Sequence, residues 1–84
     1  MDYITKSPSL QRLSRSEGKW VGYQLKLRGL TQATVAAYSN KARNTVANVL
    51  TGRISSLSVY TALCSLLGYD CIGALLADAR RSVK

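Results

Sequence analysis

Apolar residues in this chain recur at three- and four-residue spacing in short runs, and the runs stop at residues that tolerate left-handed backbone: Gly29, Asn40, Gly52 and Gly68. No segment alternates with period two, so the chain is all-α and built from short helices. Ser14-Arg15-Ser16-Glu17 has the spacing of a capping box and opens the first helix, which continues through Trp20, Val21, Gln24 and Leu25 to Arg28. Gly22 weakens it by ~1 kcal/mol relative to alanine. Thr31 caps a second helix, Gln32 to about Ser39, with Val35, Ala36 and either Tyr38 or Ser39 facing inward. After a break at Asn40-Lys41-Ala42, a third helix runs from Arg43 to Leu50 or Thr51 and turns Val46, Val49 and Leu50 inward. Arg53 to Leu57 is turn-like. Ser58 then caps a fourth helix around Val59, Ala62, Leu63, Leu66 and Leu67, and Asp70 a fifth around Ile72, Leu75, Leu76 and Ala79.

A chain of 84 residues, 46% of them hydrophobic, has material for one core and not two. The expected division is a basic N-terminal arm over residues 1–16 and a folded domain over 17–84. The arm is polar and Ser-rich, and Ser7-Pro8 followed by Leu10 and Leu13 has the form of one short helix start. Cys64 and Cys71 sit among apolar neighbours and read as reduced thiols used as small core hydrophobes, with a disulfide or metal pair as the alternative.

The net charge of +8 favours a polyanionic partner, and it is unevenly placed. Nine basic residues against Asp2 and Glu17 give the stretch through Arg53 a charge of +7, leaving +1 for the rest. A membrane span is not expected, because the most apolar run, Ile72 to Ala77, is far short of the ~18 to 20 residues required. Nor does the N-terminus have the apolar stretch of a secretory signal, so the expected location is cytoplasmic.

Catalysis is poorly supplied. The chain has no histidine, its four acids are scattered, with only Asp70 and Asp78 eight apart, and its serines have no evident activator. Neither Gly-rich phosphate-loop pattern occurs. The chain is therefore read as not an enzyme, with no cofactor and no metal site.

The stretch Gly29-Leu30-Thr31-Gln32-Ala33-Thr34-Val35-Ala36, followed by Asn40, Val46, Val49, Leu50 and Gly52, resembles the helix-turn-helix of the phage lambda repressor and Cro-like superfamily. The likeness extends over about Trp20 to Ala79 and implies a compact five-helix domain. In the resembled motif Ala36 lies where the two helices cross most closely, and Asn40 takes the turn position usually given to glycine. Ser39 and Lys41 depart from the pattern by replacing apolar residues, with Tyr38 available to supply the missing packing. Ala42 departs too, since it cannot cap the third helix as Ser or Thr would.

The resemblance implies a sequence-specific regulator of transcription that binds double-stranded DNA, of phage or bacterial type, with the helix 43–51 in the major groove. Arg43, Asn44, Thr45 and Asn48 are the base-reading candidates: Arg matches guanine, Asn adenine, and the Thr methyl a thymine methyl. Gln32, Lys41, Thr51, Arg53 and Ser55 are phosphate candidates, with Ser56 and Ser58 following and Lys19 or Lys26 nearby. Lys6, Arg12 and Arg15 would wrap along the duplex from a mobile arm. The plainer reading of each is a solvated surface residue, and Trp20 and Tyr23 read as packing residues rather than stacking platforms. A homodimer on a near-palindromic operator is implied, with the fifth helix, through Leu75, Leu76, Ala79 and Val83, as its contact. There is no room for a ligand-sensing domain, so no small-molecule ligand is expected. The rival reading is an antitoxin-like or protein-interaction module on the same fold, which would not require the +7 stretch.

Overall fold

Ser14 Oγ accepts the Glu17 amide at 3.1 Å while Glu17 Oε1 accepts the Ser14 amide at 2.8 Å, and this closed capping box starts α1, Arg15–Leu27. The computed structural model describes residues 11–82. Helix α1 ends in a Schellman pair, Leu30 N–H to the Leu25 carbonyl and Gly29 N–H to that of Lys26, which requires the positive φ of Gly29. Thr31 Oγ1 then accepts the Thr34 amide and opens α2, Gln32–Ser39. Asn40 adopts φ 59° and lets Lys41 N–H return to the Ala36 carbonyl, so the chain reverses into α3, Arg43–Leu50, within three residues. Helices α4, Leu57–Leu67, and α5, Ile72–Ser82, complete an all-α fold with no strand among the described residues.

Two helix starts differ from the sequence reading. Ser56, not Ser58, caps α4 by accepting the Val59 amide, and Ser58 lies exposed in the first turn. Helix α5 opens on the Cys71 carbonyl, one residue past Asp70, with Ala74 and Leu75 amides donating to it.

The core centres on α4, whose Val59, Tyr60, Ala62, Leu63, Cys64 and Leu67 are all buried. It packs on α2 and α5, and α1 closes the domain against α3 and α5. At the α1–α3 crossing Gly18 lies directly under the Leu50 carbonyl, where an added methyl would overlap backbone. Among the described residues no single helix is long and apolar enough to cross a membrane.

Several side chains lie elsewhere than expected. Tyr38 is 60% exposed and contributes no packing; Ser39 takes the half-buried position and donates its hydroxyl to the Ala36 carbonyl. Tyr23 is likewise exposed, whereas Trp20 packs against the core. Cys64 is buried but Cys71 is exposed, and both are free thiols. Leu75 and Ala79 are fully buried in the domain's own core, so the face of α5 expected to hold a second copy is already used; Val83 lies outside the described residues.

The arm boundary at residue 16 also shifts. Arg15 is the first residue of α1, Leu13 is buried, and the Tyr60 hydroxyl donates to the Gln11 carbonyl at 2.6 Å. Arg80 holds the Gln11 side chain, and Arg12 donates to the Arg53 carbonyl at 3.3 Å. Residues 11–14 are thus a strap on the folded body, with Arg12 bonded to the Arg53 carbonyl and Arg15 exposed at the start of α1. Lys6 and the Ser7-Pro8 start lie outside the described residues.

Candidate nucleic-acid interface

Three buried residues, Val46, Val49 and Leu50, set the orientation of α3. Because they occupy one side of the helix, Asn44, Asn48 and Thr51, at i, i+4 and i+7, fall on the opposite side. Arg43 and Asn44 are exposed at the first turn, while Asn48 on the outer side and Thr45 at the flank are half-buried. Ala47 was not singled out from the sequence; it lies one turn from both Arg43 and Thr51 and keeps that surface low between them. Since Ala42 makes no side-chain capping bond, the amides of the first turn of α3 are left without a side-chain acceptor from that position.

The backbone-contact candidates surround this face. Gln32 is exposed at the first position of α2, whose amides carry the helix's partial positive charge, and Lys41 is exposed in the turn. Thr51 and Arg53 are exposed after α3, and Ser55 is half-buried. The Asn48 carbonyl accepts from the Thr51 hydroxyl at 3.2 Å and from the Arg53 amide at 2.9 Å, which ends α3 and fixes the loop that carries Arg53.

Two open clefts border α3 where it meets α1. One, of about 450 Å³, lies between Lys19, Tyr23 and Lys26 of α1 and Thr31 and Gln32 at the head of α2. The other, of about 470 Å³, lies between Arg15 and Lys19 and the Thr51–Arg53 loop, with Leu50 at its base. No carboxylate lines either cleft.

Two of the described acids, Glu17 and Asp78, are engaged away from these clefts. Glu17 caps α1 and pairs with Arg80 at 3.7 Å, while Asp78 accepts from Tyr69 at 2.6 Å and pairs with Arg81. Burial pushes the Tyr60 phenol up, the Glu17 charge adds to this, and a backbone hydrogen bond from Leu13 opposes it. Burial, with the neighbouring Cys71, also pushes the Cys64 thiol up. Among the described residues no group of three or more His, Cys, Asp or Glu could hold a metal ion.

The arrangement suits a polyanion with readable edges: amide and guanidinium donors protrude on a helix, flanked by hydroxyls and by cations that pair with no acid among the described residues. A family model described as helix-turn-helix (HTH_3) matches residues 22–72, from the middle of α1 to the start of α5 and more than half of the chain. No curated protein matches it.

Proposed function

The chain belongs to the lambda repressor and Cro-like helix-turn-helix family of DNA-binding regulators, and from this premise we propose that it is a sequence-specific regulator of transcription that reads double-stranded DNA with α3 in the major groove. One observation carries the reading: α3 is pinned from behind by Val46 and Val49 and turns Arg43, Asn44 and Asn48 outward beside Thr45. Arg43 has the fork for guanine O6 and N7, and the asparagines have the donor and acceptor for adenine N6 and N7. Gln32, Lys41, Thr51, Arg53 and Ser55 would meet phosphates and fix the register of the helix on the duplex. No catalytic step, cofactor or metal enters this reading.

We take the working unit to be a homodimer on half-sites about one helical turn apart, ~34 Å. Because the inner face of α5 is buried, the dimer contact moves to Ile54 and Leu57, which are 39% and 61% exposed just beyond Arg53. Repression is the expected mode, by occupancy of the operator.

Binding of labelled duplex across a salt series tests the reading, with random sequence compared against DNA from upstream of the protein's own gene. The expected result is a steep salt dependence on both and a preference of ~10³-fold or more for the true operator. Absence of binding to any duplex at low salt would overturn it.

A further inference from the structure

The candidate DNA face makes no use of the two cysteines, and both stand at the corner between α4 and α5. The Cys64 carbonyl accepts the Gly68 and Tyr69 amides, each at 2.8 Å, and so closes α4. The Cys71 carbonyl accepts the Ala74 and Leu75 amides at 3.2 and 3.3 Å and so opens α5. Residues 65–70 separate the two, and the chain bends by 76° between the helices. Both cysteines line one cleft of about 340 Å³ in this corner, together with Thr61, Ser65, Tyr69 and Ile72. Cys71 is exposed there and Cys64 is buried. A charge on Cys71 adds to the upward push on the Cys64 thiol, so the two sulfurs lie within Coulombic reach of each other. The Tyr69 hydroxyl donates to Asp78 at 2.6 Å and ties the turn to α5.

Packing accounts for Cys64, a small apolar residue of the core, but not for an exposed Cys71. Metal binding does not account for the pair, since among the described residues no group of three or more His, Cys, Asp or Glu could hold an ion. We propose that the corner cleft is a thiol–disulfide exchange site: Cys71 takes up half of a low-molecular-mass disulfide of the oxidised glutathione class, and Cys64 resolves the adduct into a Cys64–Cys71 disulfide. Cys71, as the thiolate formed when its proton passes to water, attacks one sulfur of the small disulfide. That S–S bond breaks, one small thiolate leaves and takes up a proton, and Cys71 carries a mixed disulfide. Cys64 then gives up its proton and attacks the Cys71 sulfur. The bond to the small thiol breaks, and the second thiolate leaves and is protonated. Two protein thiols are oxidised, and one small disulfide is reduced to two thiols. Exposure sets the order, because Cys64 is shielded from a disulfide in solution. The product crosslinks the last turn of α4 to the start of α5.

The test uses the full chain in reduced form, oxidised glutathione as the probe, and intact mass after an acid quench. Two variants accompany it, Cys71→Ser and Cys64→Ala, and thermal unfolding checks that both fold. The wild type is expected to gain one glutathionyl group and then lose it, ending as a monomer two hydrogen masses lighter than the reduced chain. Cys64→Ala should stop at the glutathionyl adduct, and Cys71→Ser should react at least ~10-fold more slowly than the wild type. A lasting adduct or no reaction in the wild type, a disulfide-linked dimer as its product, or a Cys71→Ser variant that reacts at the wild-type rate would each overturn the exchange site. These masses are read without DNA, so the outcome leaves the role of α3 untouched.

Discussion

Helices α3 and α4 share one core but are made differently. In α4, six of eleven residues are buried, Ser56 caps the start and Gly68 ends it. Helix α3 buries three of eight, has no side-chain cap at Ala42, and turns amides and a guanidinium outward. The apolar content that stabilises the domain is concentrated in α4, most of whose side chains are turned into the core. Its counterpart α3 is held in place by its neighbours, and its outer face is left for chemistry.

Four substitutions, in order of falling effect and with Asn48→Ala as the reference for the first, break or sharpen this contrast. Leu63→Ala in α4 is expected to cost ~2 to 5 kcal/mol in denaturant unfolding, because Leu63 is fully buried, whereas Asn48→Ala on α3 should stay within ~0.5 kcal/mol. Similar costs at both positions would erase the distinction. Gly18→Ala should cost ~1 to 3 kcal/mol by forcing α1 away from the Leu50 carbonyl, and it should lower affinity for DNA as well as stability.

Tyr60→Phe is next, at ~1 kcal/mol, since it removes the hydroxyl that holds Gln11 to α4. Its pH dependence follows from the raised phenol. The folded state keeps this proton more tightly than the unfolded chain does, so the stabilisation is complete below pH ~10 and is lost as pH rises through the folded value. The phenylalanine variant should lose part of the alkaline sensitivity; an unchanged alkaline limb would assign it to other groups. Smallest is Ala42→Ser, which adds the missing cap to α3 and should raise stability by ~0.5 to 1 kcal/mol. No gain in the unfolding midpoint would mean that the α3 start is satisfied in another way.

Much of this architecture was legible in the sequence because its signals are local. Ser14 with Glu17, Thr31, Gly29, Asn40 and Gly68 each act within one turn of chain, and the structure places helix ends at those points. The cap of α4 was not legible: Ser58 was the expected residue, yet Ser56 accepts the Val59 amide, and both serines directly precede an apolar residue. The roles of Gly18, Tyr60 and Leu13 arise from partners more than thirty residues away, which periodicity does not encode. Tyr38 was one candidate for the inward side of α2, but Val35, Ala36 and half-buried Ser39 set that side and Tyr38 falls outside it. The face of α3 was readable from the spacing of Val46 and Val49.

The central claim is that the outer face of α3 reads bases while its surroundings grip the backbone. Competition binding of operator against random duplex measures this for Arg43→Ala, Asn44→Ala and Lys41→Ala. The account expects the first two each to reduce the preference by ~1 to 3 kcal/mol, and Lys41→Ala to weaken both duplexes equally with the preference unchanged. An equal loss on both duplexes from all three variants would contradict it.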